Sequence, residues 1–249
     1  RFAAGSAIGE LSRAVNRGDG VHALDILSRP GEESVAWVPA GGGAALAPII
    51  LTGYRSYADR GSPAERLDRL NRFRVLCAHR AGLLGAEGVN RLAERLLAQQ
   101  GRIRINPRGT TPWYAGRPVL ITRNDYGLGL FNGDAGIALP DPEAGTDELY
   151  VFFTDPGDGL RRFLPYRLPA HETVFAMTVH KSQGSEFDQV LLVLPDRDSP
   201  VLTREMIYTA LTRARRRITL AADPTLLAAA IRRRIDRASG LREALWGVP

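Results

Sequence analysis

Lysine is almost absent from this 249-residue sequence. Of its 33 basic residues one, Lys181, is a lysine and the rest are arginines. No Gly-Lys pair occurs anywhere, so the chain has no G-x-x-x-x-G-K-[ST] phosphate loop, which excludes a nucleotide site of that construction within it. Cysteine is equally scarce. The single Cys77 excludes an internal disulfide and a cysteine-based zinc site, and fits a reducing, cytoplasmic setting. There is no run of about 18 apolar residues, so no membrane-spanning helix is expected. The opening Arg1-Phe2-Ala3-Ala4-Gly5-Ser6 carries neither an initiator Met nor a signal-peptide pattern, and the chain is expected to be a fragment. Internal repeats and low-complexity tracts are missing. The four histidines, His22, His79, His171 and His180, are too scattered for a metal site, and all but His180 are expected to be structural or surface residues.

What is present suits a folded protein. With 44% apolar and 24% charged residues and a mean hydropathy of -0.15, the chain can bury a sizeable core. Its length allows one large domain, or a medium domain with a smaller one attached. The net charge of +6 and a pI near 10.0 favour an anionic partner, as an electrostatic tendency.

Two patterns alternate along the chain. Helical spacing over 6–18 and 21–28 is followed by a short strand, Ser34 to Pro39, and by another helix after the Gly41-Gly42-Gly43 loop. A further helix opens at Ser62-Pro63-Ala64-Glu65, with Ser62 as N-cap and Glu65 completing a capping box. Phe73 to Ala78 reads as a buried strand and 86–100 as a helix. Between about 110 and 170 the helices stop. Pro118–Thr122, Leu128–Phe131, Gly136–Leu139 and Leu149–Phe153 read as short strands, and Asn132-Gly133 as a tight hairpin turn between two of them. Strands at 174–179, 189–194 and 217–220 then resume, with helices from Arg204 to about Arg213 and from Asp223-Pro224. The expectation is an α/β parallel sheet with helices on both faces, over 1–109 and 171–249, interrupted by a small antiparallel β domain at 110–170.

Two segments carry the chemistry. Thr178-Val179-His180-Lys181-Ser182-Gln183-Gly184-Ser185-Glu186-Phe187 lies between two apolar strands, where a parallel sheet places loops and ligands at its C-terminal edge. Its hydroxyls, imidazole, ammonium and amide are donors of the kind that phosphate or nucleic-acid backbones need. Gly184 permits close backbone approach, and Glu186 can accept from ribose hydroxyls or orient a cation; an ordinary polar crossover loop is the plainer alternative. In the second segment, Met206 to Arg217, Met206, Ala210 and Ala214 form an apolar stripe and Arg213 emerges at the helix end. Arg215 and Arg216 are expected to complement the helix macrodipole. Arg213 is a candidate arginine finger, since a planar, always-charged fork suits phosphoryl oxygens in the transition state. Trp113, Tyr114 and Tyr126 are candidates for base stacking, with a place in the core of a small barrel as the commoner alternative.

These segments carry a resemblance. Thr178 to Phe187 resembles motif V of superfamily 1 helicases, and Tyr208-Thr209-Ala210-Leu211-Thr212-Arg213-Ala214-Arg215 resembles motif VI. Asn124-Asp125-Tyr126-Gly127-Leu128-Gly129-Leu130-Phe131-Asn132-Gly133-Asp134, His171-Glu172-Thr173 and the opening Ala7 to Asp19 resemble the RecD family, alpha subunits of exodeoxyribonuclease V. The resemblance implies the second of two RecA-like domains with an SH3-like insertion at 110–170. It also implies ATP hydrolysis between the two domains and 5′ to 3′ movement on single-stranded or duplex-end DNA in double-strand break processing, with RecB and RecC subunits as partners and no membrane. On this basis Thr178, His180, Lys181, Ser182, Arg123 and Asn124 would contact DNA. Gly184, Glu186, Arg213 and Arg1 would face nucleotide, Arg213 being catalytic. The magnesium ligands would lie on the missing N-terminal domain, so the chain is expected to be inactive alone. A free-standing RecD-like helicase, the helicase part of a relaxase, and a non-catalytic DNA-binding or subunit-docking module are the alternatives.

Overall fold

Side-chain caps set where the helices begin. In a computed structural model, which describes residues 5–39, 42–105, 111–141, 145, 147–155, 157 and 159–235, Ser6 accepts the Gly9 amide at 3.1 Å to start α1 (Ala7–Arg17). Gly18, at φ 79°, ends it in the left-handed conformation. Asp19 caps α2 (Gly20–Leu27), and Ser62 with Glu65 forms the expected capping box on α4 (Pro63–Arg72). α3 (Gly42–Gly53), α5 (Ala86–Gln99), α6 (Arg204–Leu211) and α7 (Pro224–Arg232) complete the set of described helices. Arg1 lies outside the described residues.

Five parallel strands stand in the order β1 (Val35–Val38), β10 (Ala214–Ala221), β9 (Phe187–Val193), β2 (Phe73–Cys77), β8 (Ala176–Thr178). Side-chain alternation sends each strand to both faces. From β9, Val190 and Leu192 enter the core built on α1, α2, α6 and α7, while Leu191 and Val193 enter the core built on α3, α4 and α5. The α/β expectation, with helices on both faces of a parallel sheet, agrees with this architecture.

A second, antiparallel sheet has the order β6 (Leu160–Phe163), β5 (Leu149–Thr154), β4 (Ala135–Pro140), β3 (Pro118–Ile121), β7 (His171–Thr173). One face holds a small core of Val119, Ile121, Leu130, Ala138, Val151 and Phe153. The other gives Ile137, Leu139 and Phe152 to the α3/α4/α5 core, so the two sheets are packed together. The pairing of β7 with β3 carries this sheet to Thr173, past the expected limit at 170.

Three sequence expectations need correction. Leu128–Phe131 is a set of turns with one isolated bridge, Asp125 to Leu130, in place of a strand. The Asp125 carboxylate accepts the Leu128 amide at 2.9 Å and Gly129 sits at φ 63°, so local side-chain bonding and a left-handed residue break the extended run. Asn132-Gly133 does form a turn, closed by Asp134 N to Phe131 O at 3.0 Å, with Gly133 at φ 101°. It ends the long connection between β3 and β4, where a tight hairpin between two strands was expected. Finally, α6 stops at Leu211 and β10 begins at Ala214, so Arg215 and Arg216 lie on a strand and cannot complement a helix dipole.

β8 is an edge strand, and its outer side is closed by a side chain. The Asn90 amide of α5 donates to Ala176 O at 2.8 Å and accepts from Ala176 N at 2.9 Å, copying one rung of a β ladder. Asn90→Ala should therefore destabilise the fold by about 2 kcal/mol, because a buried donor and acceptor lose their partner. Chemical denaturation reads this, and an unchanged midpoint would refute the role given to Asn90. Gly133→Val should cost about 1–3 kcal/mol through strain at positive φ, and an unaltered melting temperature would show that the turn tolerates a β-branched residue.

Candidate functional site

The segment between β8 and β9 does more than turn a corner. Thr178 stands level with Cys77, which stands level with Val193, at the C-terminal edge of the sheet. Phe187 pairs with Ala214 at the opposite edge. Residues 179–186 therefore run the length of β9, about 20 Å at the usual rise per residue. The segment expected to serve as one loop at the C-terminal edge thus puts its two halves at opposite edges.

At the C-terminal edge a 3-10 turn, His180–Ser182, follows β8. Val179 N donates to Cys77 O at 3.0 Å, and the Thr178 hydroxyl oxygen accepts the Lys181 amide at 3.4 Å. His180 is exposed and Thr178 half-buried. Lys181 reaches sideways, its Nζ lying 2.6 Å from Oε1 of Glu172 on β7. Ser182 requires a correction, since it is fully buried and its hydroxyl donates to Val179 O at 2.7 Å. In that position it braces the turn, and a DNA strand cannot reach it.

A cleft of about 330 Å³ separates the crossing segment from α6, lined by Val179, His180, Gln183, Thr203, Met206 and Thr209. Beyond it, the N-terminal edge gathers the second group. Gly184 is exposed at φ 85° with open space where a side chain would sit, so its backbone is accessible. Arg213 occupies the turn between α6 and β10. Its guanidinium donates from Nε to Thr209 O at 3.2 Å, from Nη1 to Ser185 O at 3.1 Å and from Nη2 to the Thr212 hydroxyl at 3.2 Å. The backbone is tied as well, since Phe187 N donates to Arg213 O at 2.9 Å. Residues 28 positions apart in sequence thus form one unit. Glu186 is paired with Arg215 at 3.0 Å, and Asp188 lies 3.9 Å from Arg216. Such surface pairs are worth about 0–1 kcal/mol each.

Beneath this edge lies Arg74 of β2, a residue that sequence patterning treated as part of an apolar strand. It is fully buried, donates to Val174 O and, at 3.2 Å, to Asn71 Oδ1, and its guanidinium lies 5.1 Å from the centre of the Phe187 ring. Burial without a carboxylate pushes its pKa down. Its long neighbours in sequence are apolar, so only the tertiary contact with Phe187 links it to the site.

Arg123 and Asn124 are exposed on the β3–β4 connection. The Asn124 side-chain Oδ1 already accepts the Asn132 backbone N–H at 2.8 Å. Tyr126 is 82% exposed and meets Phe131 edge-on at 5.9 Å. Tyr114, by contrast, is buried with its hydroxyl donating to Glu94 at 2.7 Å, and Trp113 packs on Arg117 and His171. The structure thus leaves Tyr126 exposed, while Tyr114 belongs to the core.

The donor set can be compared with what a nucleotide needs. A planar cation, an open backbone at Gly184 and a carboxylate at Glu186 suit phosphate and ribose. They do not make a magnesium site, and among the described residues no cluster of three His, Cys, Asp or Glu forms one. No described helix is long and apolar enough to cross a membrane.

The UvrD-like helicase C-terminal domain matches residues 173–221, spanning both segments. The RecBCD enzyme subunit RecD of Mycobacterium tuberculosis H37Rv is 40% identical over 97% of this chain and 41% of its own length. The subunit of the same name from Haemophilus influenzae is 40% identical over 71% of this chain and 26% of its own. The ATP-dependent RecD2 DNA helicase of Deinococcus radiodurans is 35% identical over 69% of this chain and 23% of its own. A Bacteroides Pif1 structure bound to single-stranded DNA gives a TM-score of 0.40 at 20% identity, covering 72% of this chain and 50% of that one, too slight a likeness to bear on function. The chain thus spans about two fifths of the length of its mycobacterial relatives. It belongs to the RecD family of superfamily 1 helicases, of which it represents the C-terminal part.

Proposed function

We propose that this chain is the C-terminal motor domain of an ATP-dependent, 5′ to 3′ DNA helicase subunit of the RecBCD type. The parallel sheet and its helices belong to a RecA-like domain, and the segment from 110 through β7 is an SH3-like insertion in it. In the complete protein it acts with RecB and RecC on duplex ends during double-strand break repair and recombination. The observation that carries this reading is the separation of two chemistries by one strand. Thr178 and His180 stand at the C-terminal edge of the sheet, and Gly184, Glu186 and Arg213 at the other.

On this reading Thr178 and His180 hold the DNA backbone, and Arg123 and Asn124 on the β3–β4 connection are further DNA contacts. Arg213, positioned by Ser185 O, Thr209 O and the Thr212 hydroxyl, is the cation assigned to the phosphates, where it stabilises charge that develops during transfer. Glu186 exchanges Arg215 for a ribose hydroxyl. ATP with Mg²⁺ supplies the free energy of phosphoryl transfer to water when it is bound between this domain and the preceding one. That preceding domain carries the phosphate loop, which this sequence lacks, and the magnesium ligands.

The test uses a protein that carries both RecA-like domains, at one fixed salt concentration because phosphate contacts are steeply salt-dependent. Arg213→Ala should lower ATP turnover by about 10³–10⁵ with DNA affinity nearly unchanged, and Arg213→Lys should not restore it. Thr178→Ala with His180→Ala should weaken single-strand binding equally for different base sequences while ATP still binds. Loss of DNA binding with normal turnover in Arg213→Ala would reverse the two assignments. For the 249-residue chain by itself, no DNA-stimulated ATP hydrolysis is expected, and ATP affinity no tighter than about millimolar. Measurable turnover by the purified chain would refute the half-site.

A further inference from the structure

Lys181, the one lysine of the chain, looks from its sequence position like a phosphate contact. Its surroundings describe something else. Nζ lies 2.6 Å from Oε1 of Glu172, and both side chains are about one-third exposed, at 34% and 30%. Glu172 is the middle residue of β7 and pairs with Leu120 of β3, which places it in the antiparallel sheet. From β7 the chain runs through Val174 and Phe175 into β8 and on to the turn that carries Lys181. The ion pair therefore joins residues nine positions apart in sequence, tying the turn back to the small sheet from which it came.

The charge around the pair is balanced. The cleft beside it, about 230 Å³, is lined by Arg80, Arg91 and Lys181 on one side of the charge ledger and by Glu87, Glu94 and Glu172 on the other. Arg80 is engaged by Glu87 at 3.0 Å, and Glu94 accepts the Tyr114 hydroxyl at 2.7 Å. A phosphate entering here would meet three carboxylates and would have to displace one from the ammonium. Inward, the turn is already fixed by the Ser182 hydroxyl on Val179 O and by Val179 N on Cys77 O. The Lys181 side chain links it outward to the antiparallel sheet.

We propose that Lys181 is a positioning residue, a strut that transmits the placement of the antiparallel sheet to Thr178 and His180, and that it does not itself bind phosphate. The inference rests on reading Thr178 and His180 as the DNA-facing pair. The strut is a compact point charge on a flexible stem, which suits one carboxylate oxygen and has no need of a bidentate fork.

The experiment measures binding of a fluorescein-labelled 20-nucleotide oligothymidylate to the 249-residue chain by anisotropy across a range of KCl concentrations. Lys181→Met should weaken binding by about two- to five-fold at every salt, as expected for loss of one exposed pair. The slope of log affinity against log salt should not change. Lys181→Glu should be weaker still, and Lys181→Glu combined with Glu172→Lys should recover most of the affinity, because the exchanged pair rebuilds the strut. The proposal is overturned if Lys181→Met flattens the salt slope by about 0.7, the signature of one lost single-strand phosphate contact. It is also overturned if the exchanged double variant stays as weak as Lys181→Glu. Hydrogen exchange gives a readout that needs no DNA. Lys181→Met should speed exchange over 179–183 and 171–173, and the charge exchange should slow it again. If the unaltered chain binds no oligonucleotide, the DNA reading fails, while hydrogen exchange still decides the strut, and unchanged protection would refute it.

Discussion

The arrangement depends on burying β9 on both faces. This strand lies between β10 and β2, and its residues from Val190 to Val193 alternate between two separate cores. At about 25 cal/mol per Å² of apolar surface, such burial is the largest favourable contribution available to the sheet. It also fixes a length. A strand that must cross the whole domain leaves Thr178 at one end and Phe187 at the other, and the connecting segment has no choice but to span the same distance.

The distribution of chemistry follows from that constraint. Parallel strands have chemically different ends, and a segment that returns alongside its own sheet samples both. The hydroxyl and imidazole of Thr178 and His180 are left where the first half of the segment emerges. The backbone of Gly184 and Ser185 is delivered to the turn that carries Arg213, and the guanidinium closes the junction by hydrogen bonding to Ser185 O. The Arg213 guanidinium thus joins the end of α6 to Ser185, and the crossing segment joins Ser185 to Thr178.

The antiparallel sheet enters the same scheme by packing as well as by charge. Ile137, Leu139 and Phe152 contribute to the core beneath α4 and α5, and Tyr57 donates to Gly116 O at 3.3 Å. It is joined to the parallel sheet along a shared apolar face, and β7 leads directly into β8. Lys181 and Glu172 sit where the two sheets meet, and their ion pair joins the turn after β8 to β7.

The sequence alone determined the elements whose signals are local. Helical spacing marks α1 and α2, a capping box marks α4, apolar residues flanking Arg74 mark β2 and the run Val190–Val193 marks β9, and the two motif segments declare a helicase family through their own side chains. Sequence patterning failed at Leu128–Phe131, where the Asp125 side chain competes with a strand ladder. It also failed at the end of α6, where pairing with Phe187 draws Ala214 into a strand that helical spacing had continued through. Burial of Ser182, the pairing of Lys181 with Glu172, the placement of Arg74 under Phe187 and the splitting of one motif between two edges were decided only by the tertiary structure. The physical reason is that propensity and periodicity are properties of neighbours along the chain. A polar side chain's role is set by whichever donor or acceptor the packed sheets bring within about 3 Å of it.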